Sequence, residues 1–257
     1  MRTDYSVVTE LPGVLASREQ LSRMVHRYHT AAAYCEGKDV LEVACGGGQG
    51  LGYLAKKARF VVGGDYEAAI LNWAQQHYKD RMRLLRFDAH DLPFRDGSFD
   101  VVILFEAIYY LRSTERFLDE CRRVLRNKGV LIICTVNKDW ADFNPSPFSV
   151  KYFSAPELVA SLRENQFEVE LFGAYLTSNR LAKEQLVSLA KRTAVALHLI
   201  PRTMKYKAFL KRIFFGKLTP LPPEIREGMD EYAPPVPISG EAPDRRYKVL
   251  YAIGHAR

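Results

Sequence analysis

The residues best placed to do chemistry are acids that close apolar runs. Glu42 lies in the run 40–43, Asp65 ends the run 59–64, and Asp88 follows 82–87. A carboxylate at the end of a buried strand needs a partner to justify its burial. Behind Glu42 come Gly46, Gly47, Gly48 and Gly50. Glycine lets the backbone turn sharply and lets a ligand approach with no Cβ in the way. A helix beginning near Gln49 would point its unpaired N–H groups at that bend. Asp65 lies nineteen residues after Gly46, where nucleotide-binding α/β folds place an acid on ribose hydroxyls. The competing reading of Asp65 is a turn residue that caps the next helix. The dinucleotide pattern G-x-G-x-x-G fails in both registers, because its third glycine would fall on Leu51 or Tyr53.

More of the chain extends this pattern. E-x-A-C-G-x-G at 42–48 is followed by Asp65, by F-D-A-H at 87–90, and by D-L-P-F-R-D-G-S-F-D leading into an apolar strand at 99–105. In this order and spacing the motifs, which span about residues 38–136, resemble the class I S-adenosylmethionine (SAM) methyltransferases of the type 11 branch. The stretches Y-F-S-A-P-E-L and F-L-K-R-I-F-F-G-K-L add a resemblance to bacterial members associated with polysaccharide or envelope biosynthesis. The resemblance implies SAM as cofactor. It places Glu42, Ala44, Gly46 and Gly48 at the turn, Asp65 by the ribose, Asp88 and Ala89 at the adenine, and counts Tyr66 and Phe105 among the cofactor-binding residues. Ala44 stands where the family usually has glycine, which would narrow the methionine end.

SAM carries an already activated methyl group, so alignment supplies much of the catalysis. An oxygen or nitrogen acceptor can still need a base, worth about 10²–10⁴ in rate. Glu106, Tyr109 and Tyr110 follow the strand 99–105, at the carboxyl end where such sheets bind ligands. Many relatives carry a glutamate and a histidine on this loop; Glu106 matches the first and Tyr110 replaces the second. Glu106 or His90 is expected to accept the proton, with the tyrosines shaping the pocket. The alternative for Glu106 is capping the following helix. N-P-S-P-F at 144–148 resembles a loop of DNA amino methyltransferases, but it follows the fifth strand and not the fourth. It therefore reads as a border of the acceptor site, and no nucleic-acid partner is expected.

These residues must be positioned by a parallel sheet. Strands are expected at 40–43, 59–64, 82–87, 99–105, 129–136, 167–172 and 247–254, with helices at 67–78, 114–125 and, capped by Ser154, 156–165. Repeated βα units argue for an α/β fold with helices on both faces. The resembled fold is a Rossmann-like seven-stranded sheet, mostly parallel, its last strand antiparallel. Ser17 and Gln20 form a capping-box pattern for a leading helix with Leu21, Met24, Val25 and Tyr28 as its apolar face. In the family this helix covers the cofactor, which would bring Tyr28 or His29 toward substrate. His26 and His29 have no accompanying acid or cysteine and read as a solvated face, so no metal site is expected.

Hydrophobic content of 47% suits a globular domain. The four cysteines lack metal spacing and read as reduced cytosolic thiols. The charge is uneven: between Arg180 and Lys217 ten Lys or Arg face one acid, Glu184, a net +9 against +7 for the whole chain, so the remainder sums to −2. The chain divides into a core at 1–173, an α-helical and Pro-rich insertion at 174–245 between the sixth and seventh strands, and the last strand at 246–257. Helices are expected at 183–200 and 203–215, with an apolar stripe of Phe209, Leu210, Ile213 and Phe214, then an extended, unpacked connection at 218–238. The expected protein is a cytoplasmic methyltransferase acting on an oxygen or nitrogen of a small molecule or glycan precursor. The alternatives are a quinone or lipid C-methyltransferase and a non-catalytic SAM-binding protein with a docking arm. Residues 180–217 could touch an anionic membrane or face water.

Overall fold

The computed structural model describes residues 5–177 and 218–256. The expected helices at 183–200 and 203–215 and their apolar stripe lie outside the described residues. A short strand β1 (Leu15–Ala16) leads into α1 (Arg18–Ala32), and Ser17 caps it as the sequence predicts: its Oγ accepts from the Gln20 amide, and Gln20 Oε1 accepts from the Ser17 amide. Then come β2 (Asp39–Val43), α2 (Leu51–Ala55), β3 (Phe60–Asp65), α3 (Ala68–Tyr78), β4 (Arg83–Arg86) and β5 (Phe99–Phe105). They are followed by α4 (Thr114–Val124), β6 (Leu125–Val136), α5 (Ala155–Glu164) and β7 (Phe167–Leu176), and after the insertion by β8 (Thr219–Pro220), β9 (Val236–Pro237) and β10 (Tyr247–Ala256). The helix after the glycines starts at Leu51, later than expected, and runs only five residues.

The main sheet has the order β4-β3-β2-β5-β6-β10-β7-β9. β2 through β6 pair in parallel, and β10 runs antiparallel between β6 and β7. Seven strands match the expected Rossmann-like sheet; two-residue β9 adds an eighth at the edge. The winding direction reverses between β2 and β5, and ligands of such sheets bind in the crevice outside that switch point.

Alternation within the strands divides the core. Leu41, Val102 and Leu104 pack on one face with Phe117, Leu118, Leu158 and Leu162 from α4 and α5. Val40, Val101 and Ile103 face the other way, with Met24, Val25, Leu51 and Leu71 from α1 to α3. Central parallel strands are covered on both sides, so both sets must be apolar. Glu42 has the parity of Val40 and lies under α1.

Two expectations change. His26 is buried, not solvated: its Nδ1 lies 2.7 Å from the Tyr251 hydroxyl and its Nε2 2.7 Å from the Ala233 carbonyl. The connection from 218 is extended, as its prolines dictate, but it is a packed strap. Leu221 and Ile225 are fully buried, the Ile225 amide donates to the Gln49 carbonyl at 2.8 Å, and β8 pairs with β1. The four cysteines are buried and free. Among the described residues no helix is long and apolar enough to cross a membrane, and no three acid, histidine or cysteine side chains gather as a metal site.

Candidate active site

The glycine turn bends because two of its residues adopt left-handed backbone, Gly46 at φ 60° and Gly48 at φ 75°. Ala44 sits at φ 56° without being a glycine, a conformation costing an L-residue about 1–2 kcal/mol. Over this turn, at the carboxyl ends of β2, β3 and β5, lies a cavity of about 390 Å³. Of the residues assigned to cofactor, Glu42, Ala44, Gly46, Asp65, Tyr66, Asp88, Ala89 and Phe105 line it, as do Glu106, His90 and Tyr110. Gly48 does not: a Cβ there would fall 2.7 Å from that of Ala74 and 3.3 Å from the Tyr78 ring. It serves the close approach of turn and α3.

Glu42 is the most constrained acid. One oxygen accepts from the Tyr28 hydroxyl at 2.5 Å; the other is buried with no partner. Burial pushes its carboxyl up to about 7, against the pull of the Tyr28 bond and of Arg27. Asp65 ties the turn to the next helix: Oδ2 accepts from the Gly46 amide at 3.0 Å and Oδ1 from the Glu67 amide at 2.9 Å. The turn role is therefore present, and each oxygen keeps a lone pair for a hydroxyl. Burial raises its carboxyl, and those amides oppose the shift.

His90 does not offer a base. Its Nε2 accepts from the Ser113 amide at 3.2 Å, so Nδ1 carries the hydrogen and donates to Asp88 Oδ1 at 2.5 Å. That tautomer follows from the hydrogen-bond network and leaves no ring lone pair for a proton. The histidine instead holds Asp88, whose carboxyl stays below its ordinary value because bonds from the His90 amide and ring outweigh burial.

Glu106 caps no helix. Ala107 precedes the 3-10 turn Ile108–Tyr110, and Ser113 caps α4. The Glu106 carboxyl faces the cavity at φ 50°, accepts from the Tyr109 hydroxyl at 3.1 Å, and is raised by burial against the pull of Arg27. Tyr110 shares a 2.6 Å hydrogen bond with Ser146, and burial raises its phenol, so it is no base. Ser146, in the N-P-S-P-F loop, lines the cavity. His29 does not line it; its ring stacks on Tyr232 of the strap.

The sequence reading missed the cations. Arg27 is buried in the cavity wall, donates to Glu10 at 2.8 Å, and keeps an unpartnered Nε. Arg23 lines the same wall and also has an unpartnered Nε. The available signal was an arginine between Met24 and Tyr28 on the apolar stripe of α1; nothing marked Glu10.

Comparisons with known proteins agree with this geometry. Residues 41–133 match the family model described as a methyltransferase domain. A probable S-adenosylmethionine-dependent methyltransferase of Mycolicibacterium smegmatis is 35% identical over 166 residues, 62% of this chain and 63% of that protein. A fatty-acid O-methyltransferase of the same organism is 36% identical over 124 residues, 46% of this chain and 45% of the relative. The chain thus spans less than two thirds of the length of these relatives. A Thermotoga maritima structure described as a SAM-dependent methyltransferase, possible histamine N-methyltransferase, shares the fold with TM-score 0.57 at 18% identity, over 93% of this chain and 96% of that one. Residues 41–133 thus carry the match to a methyltransferase domain, and the fold is one shared with SAM-dependent methyltransferases.

Proposed function

We propose that this protein transfers a methyl group from SAM to an oxygen or nitrogen of a small molecule or glycan precursor. One observation carries the reading: the cavity is lined by Glu42, whose Oε2 is buried without a partner, and by Arg27, whose Nε–H is buried without one. Those are the complements of an ammonium and a carboxylate, the two ends of an α-amino acid. Glu42 and Arg27 would hold that end, Asp65 the ribose, and Asp88 with the Ala89 amide the adenine. Bound SAM supplies a methyl group on a sulfonium, which leaves as a neutral thioether once the methyl is transferred. Glu106 takes the proton that a neutral hydroxyl or amine gives up as its bond to carbon forms. Calorimetry with SAM and its demethylated product tests the cofactor site, with binding expected for both. Label transfer from methyl-labelled SAM to sugar nucleotides tests the acceptor.

A second reading, a lipid acceptor, has its own support. Val7, Phe148 and Val150 are 71%, 48% and 58% exposed. Phe148 packs against Tyr5, which in turn packs against Tyr110. One relative bears the name fatty-acid O-methyltransferase. Label appearing in fatty acids or quinones and absent from sugar nucleotides would replace the first reading with this one; SAM binding with no acceptor labelled would favour a non-catalytic binder. A cytoplasmic location with peripheral contact of residues 180–217 to anionic membrane belongs to the proposal and rests on charge. Liposomes containing anionic lipid are expected to co-sediment the protein at low salt and release it at high salt.

A further inference from the structure

We infer that Tyr28 is a positioning residue for the cofactor: it joins α1 to Glu42 and decides which carboxylate oxygen the cavity receives. The inference rests on the cofactor reading above. Glu42 emerges from β2 on the face that α1 covers, where an acid with no donor would be a buried, unpaired charge. Arg27, the neighbouring cation, is bound to Glu10. Tyr28 supplies the donor to Glu42, and a phenol has a single hydrogen to give. Oε1 takes it at 2.5 Å, and Oε2 stays buried without a protein partner in the wall of the cavity that Glu42 lines.

The ring is fixed as tightly as the hydroxyl. Its edge meets Phe105 at 5.2 Å between centroids. A Cβ on residue 50 would lie 1.9 Å from Tyr28 Cε1, so Gly50 exists to admit this ring. The glycine turn, Glu42 and the covering helix are thereby locked together by one side chain. Loss of the hydroxyl would free the carboxylate to rotate and remove one of the forces that keep it ionised. The titratable and charged groups that face Glu42 are Tyr28 and Arg27 of α1, Cys35 just beyond it, Cys45 in the turn, Asp65 at the end of β3 and Tyr78 at the end of α3.

Tyr28→Phe keeps the ring and deletes the hydrogen bond. Calorimetry of wild type and variant is run with SAM and with 5′-methylthioadenosine, which has the adenosine but lacks the amino-acid end. Affinity for SAM is expected to fall about tenfold, the scale of a hydrogen bond to a charged group, with methylthioadenosine affinity kept. The pH at which SAM binding is half lost is expected to move upward. Equal losses for both ligands, as a merely structural defect would give, or no loss for either, or an unmoved pH profile, would overturn the inference. A wild type that binds no SAM would overturn the cofactor reading, and this inference with it.

Discussion

At the β2 side of the cavity Glu42 keeps one carboxylate oxygen without a partner, whereas at the β5 side Glu106 accepts from Tyr109 and Tyr110 bonds Ser146. The two sides are neighbours in the sheet, yet the first keeps a buried acceptor oxygen without a protein partner and the second is paired within itself. An unpaired buried acceptor costs the free protein stability and returns it on binding. A self-paired wall does the reverse: the acceptor must displace hydrogen bonds that already exist. On the proposed reading, the β2 side, which would hold the cofactor, sets affinity, and the β5 side, which would meet the acceptor, sets selectivity.

The strongest way to break this comparison is Glu42→Gln. SAM affinity is expected to fall about 100-fold or more, because a ligand ammonium would lose its counter-charge in a buried site. The same change should stabilise the free protein at pH 8. Burial raises Glu42 from 4.5 to about 7, so the native state binds more protons than the unfolded chain between those values. The group's contribution to stability is whole below pH 4.5 and lost as pH rises through 7, by about 3 kcal/mol at most. Urea midpoints of wild type and variant at pH 5 and pH 8 check this. A variant no more stable than wild type at pH 8 would mean that the carboxylate is satisfied.

On the other side, Glu106→Gln should lower kcat about 100-fold and leave the SAM dissociation constant within about twofold, since the proposed reading puts this acid at the acceptor. A raised carboxyl must ionise before it can accept a proton, so wild-type kcat should climb with pH through a value above the ordinary 4.5 for glutamate. His90→Asn should show its loss in KM for SAM, through Asp88; a loss confined to kcat would restore His90 as the base.

How much of this was legible in the sequence follows the same division. The cofactor side is built by short loops after consecutive strands, so acids, glycines and strand ends fall within a few residues of one another. The covering wall, which includes Arg27 and Tyr28 of the cofactor side, is assembled from α1, residues 5–10 and the 144–148 loop. Arg27 bonds Glu10 across 17 positions of sequence, and His26 meets the strap across 207. No local pattern encodes such pairs. The strap itself was misread because its prolines announce extended backbone and say nothing of Leu221 and Ile225, whose burial depends on the groove beside α1 and α2. His90 was misread for a different reason: its residue type fits a base, but the Ser113 amide that occupies its lone pair becomes visible only once α4 is in place.

Gly50→Ala asks whether the two sides are held together by the Tyr28 ring. With a Cβ 1.9 Å from that ring, the ring or α1 must move, at a cost of about 1–3 kcal/mol, read as a lower urea midpoint. Combining it with Tyr28→Ala, which removes the clash, should recover part of the loss attributable to residue 50. Strictly additive losses would show that the ring is not what Gly50 accommodates.

The smallest expected effect concerns the two residues that immediately follow β2 and β5. Ala44 and Glu106 both adopt left-handed backbone, at φ 56° and φ 50°, one on each side of the switch point. For Glu106 the conformation has a use, since it turns a carboxyl into the cavity beside Arg27. Ala44 has no polar side chain to present, so its strain has no such return. Ala44→Gly should relieve it, offset in part by the greater freedom of glycine in the unfolded chain. The net gain should be under about 1 kcal/mol, a rise of up to about 3 °C in Tm, with SAM affinity unchanged or improved as room opens at the methionine end. Weaker SAM binding in Ala44→Gly would show that the methyl group is itself part of the cofactor wall, and the two sides would then be alike in using a strained residue for contact with ligand.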